Sequence, residues 1–443
     1  MLTRLDLRGD APDFDAILRP PASDASDLAG GDDGEISVGA ETRAIVAAVR
    51  TGGDNALRNL TERLDGCRIH DFRVPREALR LALEQAEPAF RAALDHAHDA
   101  IRSYHEQQLH DPPHLSRPGI EIDEMLRPVD RAGLYVPGGR ASYPSTVLMT
   151  AVPAKVAGVP EIVLCTPPGA DGQVPAPTLA AAAFVGIDEV YRVGGAQAIV
   201  AMAYGTETIR RVDVVVGPGN AYVAAAKREV AGIVGIDALA GPSEVVIVAD
   251  STVPPEFVAA DLLAQAEHGP GGTAIVVTWD EEVADAVDAA LEARVRDATR
   301  IADIEATLLS GGKVVLVDGP GEAMTVVNTI APEHLQLMTA EAEGLLPLVR
   351  NAGAVFIGAW APAAVGDYIA GVNHVLPTAR SARFASALRV DTFRKHIHVV
   401  RVTREGVSAV AEDVQALAMI EGLPAHAESV QLRQSLAARK DAT

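Results

Sequence analysis

The sequence of 443 residues predicts an α/β fold: two Rossmann-like lobes with parallel-rich sheets, plus an N-terminal arm and a helical C-terminal tail. Three observations predict it. Short β-branched runs at 161–165, 189–193, 213–216, 245–249, 274–278, 313–317 and 354–357 alternate with Ala-rich or amphipathic stretches, the pattern of βαβ units. Several runs end in glycine turns: Val193-Gly194-Gly195, Val216-Gly217-Pro218-Gly219 and Ile357-Gly358. Aromatic residues are only 4% against 48% hydrophobic, so the core rests on Ala, Val, Leu and Ile, which suits packed α/β layers.

In chain order, residues 1–40 carry Arg19-Pro20-Pro21 and the acidic glycine cluster Gly30-Gly31-Asp32-Asp33-Gly34, and read as an extended or flexible arm. From Glu41, residues Ile45, Val46, Val49, Leu57, Leu60 and Leu64 recur at helical spacing. A second helical stretch runs from about 75 to 110 and stops at Asp111-Pro112-Pro113. The strands before Gly241 suit one sheet and those after it another. The expected division is 1–40 as the arm, 41–114 with 243–388 as the first lobe, 115–242 as the second, and 389–443 as the tail. In open α/β sheets ligands sit at the carboxyl ends of strands, so the site is expected between the lobes.

Composition narrows the function classes. The formal net charge of −22 argues against nucleic acid or an anionic membrane as the main partner. Two cysteines, Cys67 and Cys165, cannot make a disulfide framework or a Cys-rich zinc site. Cys165 closes the apolar run Ile162-Val163-Leu164 and reads as a buried strand residue. Charges near the N-terminus break the apolar core that a signal peptide needs. No apolar run approaches the roughly 20 residues of a spanning helix. A cytoplasmic protein is expected.

The dinucleotide signal is weak by itself. Gly217-Pro218-Gly219-Asn220-Ala221-Tyr222 follows a strand and precedes a helix, but Tyr222 stands in the third glycine slot of Gly-x-Gly-x-x-Gly. Its first two glycines can still expose backbone N–H groups to a phosphate. A turn needed only for chain reversal explains the motif equally well, and the same holds for Gly194-Gly195-Ala196-Gln197.

Histidines say more. Six of the twelve, His70 through His114, lie among charged residues and read as solvated. Gln265 and His268 stand at i and i+3 near the end of a helix that Gly269-Pro270 stops, so one face carries an amide and an imidazole. That pair suits a divalent ion, while a histidine there also suits the helix dipole. In Ile330-Ala331-Pro332-Glu333-His334, the proline predicts a helix start with Glu333 and His334 in its first turn. There a carboxylate is favoured and an imidazole stays neutral, as a general base must. Asp367 follows a strand and turn, and His426 follows Glu421-Gly422-Leu423-Pro424-Ala425. Gln265, His268, Asp367 and His426 together make an N/O set of the kind that holds zinc with room for substrate. Each alone is also an ordinary surface or capping residue.

Eight motifs, in order, resemble the histidinol dehydrogenase family. They are Gly133-Leu134-Tyr135-Val136-Pro137-Gly138-Gly139, Gly194-Gly195-Ala196-Gln197-Ala198-Ile199, Gly217-Pro218-Gly219-Asn220 and Ala240-Gly241-Pro242-Ser243-Glu244. Gln265-Ala266-Glu267-His268, Ala331-Pro332-Glu333-His334-Leu335, Gly366-Asp367-Tyr368-Ile369-Ala370-Gly371 and Glu421-Gly422-Leu423 with His426 follow. The similarity spans roughly 41 to 430.

The resemblance implies oxidation of L-histidinol to L-histidine through a bound aldehyde, using two NAD⁺ in turn. It implies zinc held by Gln265, His268, Asp367 and His426, orienting the substrate's imidazole and amine. His334 matches the base that takes the hydroxyl proton, and Glu333 the residue that activates water on the aldehyde. Substrate contacts correspond to Ser243, Glu421 and His426 together with Gln265, His268, His334 and Asp367. NAD contacts correspond to Tyr135, Gln197 and Asn220. The resemblance also implies a homodimer whose tail completes the partner's site, which leaves open whether His426 acts in its own chain or across the interface.

Departures cluster in one loop. After Asn373-His374-Val375-Leu376-Pro377-Thr378 the family usually continues Ser-Gly-Thr, whereas this chain has Ala379-Arg380-Ser381. Val372 stands where proline is common, and Ala387-Leu388-Arg389 replaces a usual Gly-Leu-Ser. His374 reads as a structural hydrogen-bonding residue. Three other readings compete: a dehydrogenase of another amino or polyol alcohol, a zinc hydrolase, and a two-lobed binding protein. Glu421 and His426, the glycine turns, and the Glu333-His334 pair weigh against them respectively.

Overall fold

Parallel strands carry both large sheets, as the alternating pattern predicts. The structure is a computed structural model that describes residues 1–9, 38–139, 141–239 and 241–440. The chain forms two compact units: Met1–Gln108 with Val129–Phe393, and Leu109–Pro128 with Arg394–Thr443.

The first unit holds a six-stranded and a five-stranded sheet. The six-stranded sheet is built from β1 (Thr3–Asp6), β9 (Glu244–Ala249), β10 (Thr273–Thr278), β11 (Gly312–Leu316), β12 (His334–Met338) and β13 (Ala354–Ile357). Its order is β1-β11-β10-β9-β12-β13, with every pair parallel. The five-stranded sheet uses β4 (Arg131–Tyr135), β5 (Glu161–Thr166), β6 (Val190–Arg192), β7 (Val214–Val216) and β8 (Gly235–Ile236), in the order β6-β5-β4-β7-β8, again all parallel. In each sheet the chain leaves a central strand, adds two on one side and then two on the other. A switch point therefore falls between β9 and β12 in one sheet and between β4 and β7 in the other.

Helices cover both faces of each sheet, which is why its strands read as apolar runs without alternation. In β9, Val245, Ile247 and Ala249 enter one core, and Val246 and Val248 enter the core opposite. In β5, Val163 and Cys165 face one way and Leu164 the other. Each buried Val or Leu contributes roughly 1.5–3 kcal/mol, so small aliphatic side chains suffice without aromatics. Cys165 is buried as expected, and desolvation pushes its thiol well above the ordinary range, which makes it inert.

Several expectations change. Thr3–Asp6 is an edge strand, not part of an irregular arm, because its backbone pairs with β11 from Lys313 to Leu316. The rest of the expected arm, residues 10–37, lies outside the described residues. The helices Val38–Asp65, Arg76–Gln85 and Pro88–Glu106 pack on the five-stranded sheet, whereas the sequence division grouped 41–114 with 243–388. Pro88 at the first turn of its helix breaks the expected 75–110 stretch in two. His105 is fully buried, not solvated: its Nδ1 lies 2.8 Å from the Ile101 carbonyl, and desolvation lowers its pKa despite that bond.

The second unit is an antiparallel sheet of β2 (His114–Arg117), β3 (Ile120–Pro128) and β14 (Arg394–Val402), ordered β14-β3-β2. The helices Arg404–Ile420 and Pro424–Lys440 follow, as the expected helical tail. No helix among the described residues is long and apolar enough to cross a membrane.

Candidate active site

The switch point between β9 and β12 gathers the chemistry. Ser243 precedes β9, Glu244 opens it, and Glu333 and His334 stand at the start of β12. The parallel register sets His334 opposite Val245 on one side and Ala354 on the other. These residues therefore lie at the amino ends of their strands, not at the carboxyl ends where the general rule for open sheets would put a ligand.

His334 corrects the helix reading. The preceding helix, Pro320–Ile330, ends at Ala331 in the left-handed conformation (φ 52°), and the chain then enters a central strand. No helix N-terminus faces the imidazole. Its Nδ1 is 3.2 Å from the Glu244 carbonyl, so in the neutral form Nδ1 carries the proton and Nε2 the lone pair. Nε2 in turn lies 3.2 Å from Asp367 Oδ1, and the Glu333 carboxylate is 3.5 Å from Nδ1. Burial opposes charging the ring, but the Glu333 charge and the Asp367 hydrogen bond overcome it and raise the pKa well above the ordinary value. The two carboxylates that face the ring, and not the helix N-terminus that the sequence suggested, set its basicity.

Glu333 is buried and accepts two hydrogen bonds on one oxygen, from Ser243 Oγ at 2.6 Å and from the Glu244 N–H at 2.9 Å. Asp367, in the short helix Ala363–Tyr368, is raised by burial but held below the usual carboxylate range by its hydrogen bond to His334. His374 supports it from behind: Nδ1–H donates to the Asp367 carbonyl at 2.9 Å, while Nε2 is 3.2 Å from Thr146 Oγ1. Burial lowers the His374 pKa and keeps the ring neutral, as suits a structural hydrogen-bonding residue.

Gln265 ends the helix Pro255–Ala266 and is buried, with its Nε2 unpartnered and its Oε1 3.3 Å from Ser243 Oγ. His268 is exposed just beyond, its Nδ1 3.2 Å from the Gln265 carbonyl. Such a bond from one ring nitrogen to a carbonyl is how ligating histidines are commonly oriented, and it leaves Nε2 outward. Among the described residues no three His, Cys, Asp or Glu side chains gather into a metal-binding group. Glu421 and His426 belong to the second unit, where both are exposed.

Sequence reasoning gave no role to Glu244. Desolvation pushes its carboxyl up to about 7, against a hydrogen bond from the Ala379 N–H at 2.9 Å. Its place inside the Gly241-Pro242-Ser243-Glu244 motif was the available signal.

The other three expected residues cluster at the carboxyl ends of the five-stranded sheet. Tyr135 ends β4, and its buried hydroxyl accepts the Gly195 N–H at 3.0 Å. Gln197, in the helix Gly195–Tyr204, is buried with Oε1 unpartnered. Asn220 caps the helix Ala221–Val230, accepting from the Val223 N–H at 3.1 Å. This is the β4/β7 switch point, where a dinucleotide would be expected.

Comparison with known proteins agrees with this architecture. A family model described as histidinol dehydrogenase matches residues 32–434. A histidinol dehydrogenase of Streptomyces avermitilis is 46% identical over 440 residues, covering 98% of each chain. One of Parasynechococcus marenigrum is 47% identical over 392 residues, 88% of this chain and 90% of its own. The crystal structure of histidinol dehydrogenase from Elizabethkingia anophelis is similar with a TM-score of 0.91 and 33% identity, covering 98% of each chain. The chain belongs to the histidinol dehydrogenase family and is an oxidoreductase.

Proposed function

We propose that the protein oxidises L-histidinol to L-histidine through bound L-histidinal, reducing two NAD⁺, as the final steps of histidine biosynthesis in the cytoplasm. The observation that carries this reading is the buried Glu333–His334 pair at the β9/β12 switch point, with Ser243 donating to Glu333 and Asp367 beside His334.

In the first oxidation His334 takes the hydroxyl proton as hydride leaves the carbinol carbon. The two flanking carboxylates stabilise the imidazolium that results, so the proton is held at Nε2 beside Asp367. Glu333, which accepts from Ser243 Oγ and the Glu244 N–H, then takes a proton from water as it adds to the aldehyde, while His334 returns its proton to the aldehyde oxygen to give the hydrate and is left neutral. His334 accepts the proton released when the resulting hydrate loses its hydride. Ser243, Glu421 and His426 are assigned to hold the substrate.

Gln265, His268, Asp367 and His426 suit zinc, and the carbonyl-oriented ring of His268 supports that fit. When bound, zinc would supply the charge that orients the substrate's imidazole and amine. Tyr135, Gln197 and Asn220 suit NAD⁺, the hydride acceptor; the unpartnered Gln197 Oε1 supports that assignment. The five-stranded sheet with residues 129–242 is accordingly read as the NAD-binding lobe, residues 115–128 of the expected lobe belonging to the second unit. A homodimer with a shared site completes the proposal.

The test is stoichiometric. The zinc-loaded enzyme should give two NADH per histidinol, and a yield of one would reject the four-electron reading.

A further inference from the structure

Beneath the Gly217-Pro218-Gly219-Asn220 turn lies an ion pair that plays no part in the mechanism above. Lys227, in the helix Ala221–Val230, is 1% exposed, and Asp237, just after β8, is 3% exposed. Lys227 Nζ donates to Asp237 Oδ1 and, at 2.5 Å, to the Gly217 carbonyl. Asp237 Oδ2 accepts the Gly217 N–H at 2.7 Å. The two ions thus grip both peptide groups of one glycine.

That glycine has little latitude. Its φ is +121°, and an added Cβ would stand 2.0 Å from the Tyr135 carbonyl oxygen. The following Pro218 offers no N–H, so nothing else in that peptide anchors its plane. Three residues on, Asn220 caps the helix that carries Lys227. The clamp therefore connects β7, β8, the helix and, through Gly217, the end of β4. Burying two charges is costly, and an apolar pair of similar volume often packs as stably. A turn needed only for chain reversal gives no reason for charges there; a turn whose peptide planes must be fixed does.

We propose that Lys227 and Asp237 are positioning residues for the dinucleotide, which fix the Gly217–Asn220 turn in the conformation that receives NAD⁺. The inference rests on the assignment of Asn220 and Tyr135 to the cofactor. Being net neutral, the pair acts through backbone geometry and not by attracting the pyrophosphate.

The test uses full-length, zinc-loaded enzyme and titrates NAD⁺ without histidinol, by calorimetry, and histidinol separately. In the double variant Lys227→Met/Asp237→Asn, NAD⁺ binding should weaken by about ten-fold or more, as misplacement of a positioning element does, with histidinol affinity and zinc content unchanged. A folded double variant with wild-type NAD⁺ affinity overturns the proposal. If the double variant does not fold, Asp237→Glu, which keeps the charges but shifts the carboxylate, must show the same selective loss. An unchanged affinity there, or failure of both to fold, makes the pair a plain buttress and also overturns it. Asn220→Ala is the control on the cofactor assignment: if it leaves NAD⁺ binding intact, that assignment fails independently of the clamp.

Discussion

His334 and Glu333 are adjacent in sequence and their side chains lie 3.5 Å apart, yet their hydrogen-bond partners differ. His334 reaches Asp367, whereas Glu333 takes the Ser243 hydroxyl and the Glu244 N–H. Different consequences follow from removing each. His334→Asn should lower turnover from either histidinol or histidinal by about 10²–10⁴-fold, the usual contribution of a general base. Glu333→Gln should leave the first hydride transfer largely intact and slow the second, so that aldehyde-trapping reagents capture histidinal. Equal losses on alcohol and aldehyde in the glutamine variant would contradict the division of roles. Glu244 allows a test of electrostatics apart from catalysis. Its folded pKa is raised to about 7 from an ordinary 4.5, so between those values the native state holds a proton that the unfolded chain has lost. Stability should therefore fall as pH rises through that window and level off above it, by up to about 3 kcal/mol at roughly 1.4 kcal/mol per pH unit. Urea denaturation of wild type and Glu244→Gln from pH 4.5 to 8 checks this. Parallel stability curves for the two proteins would refute the assignment.

Elements differ in how plainly the sequence announces them, and β12 is the clearest loss. Its five residues, His334–Met338, are all buried between β9 and β13, and a short apolar run has no period to separate strand from helix. Pro332 then tipped the reading towards a helix start, when its local role is to follow the left-handed Ala331 that ends the preceding helix. Other strands, such as Glu161–Thr166 and Ala354–Ile357, were legible because β-branched runs met turn residues at both ends. Strands β3 and β14 are charged along much of their length and pair residues as distant in the chain as Pro128 and Arg394, which no local pattern reveals. The site residues were legible as motifs, but the amino-end location of Ser243 and His334 was not, since register is a tertiary property. One element carries strain that can be measured. Arg380 adopts φ 66° and Ala379 φ 50°, where the family usually has Ser-Gly. A non-glycine residue in that region costs roughly 1–2 kcal/mol, partly offset by glycine's greater freedom when unfolded. Arg380→Gly should then stabilise the protein by about 0.5 kcal/mol, read as a rise of about half a degree in melting temperature, with KM for histidinol unchanged. A lower melting temperature would show that the arginine's own interactions outweigh the strain.

At the scale of the molecule, the second unit presents more apolar surface than a lone subunit would be expected to leave in water. Ile420 is 85% exposed, and Leu417, Met419, Leu423, Leu432 and Leu436 are exposed on the same two helices. Large apolar side chains left exposed together on two successive helices suit an interface. It supports the proposed homodimer and links it to His426, which stands at the start of the second of these helices. Whether His426 serves its own subunit or the partner's can be decided by mixing two inactive variants. Let one subunit carry His334→Asn and the other His426→Ala, with the two unfolded together and refolded as a mixture. If the tail acts within its own chain, every site in every dimer lacks one essential group, and the mixture stays inactive. If the tail acts across the interface, each mixed dimer has one site with both lesions and one with neither. Half of randomly paired dimers are mixed, so roughly a quarter of wild-type activity should return. Refolded homodimers of each variant must remain inactive for the result to count. Activity in the mixture should also vanish when Ile420→Lys, introduced into both chains, prevents pairing. Recovery near a quarter, lost with that surface charge, would tie the apolar helices, the dimer and the fourth zinc ligand to one cause: a site that no single chain completes.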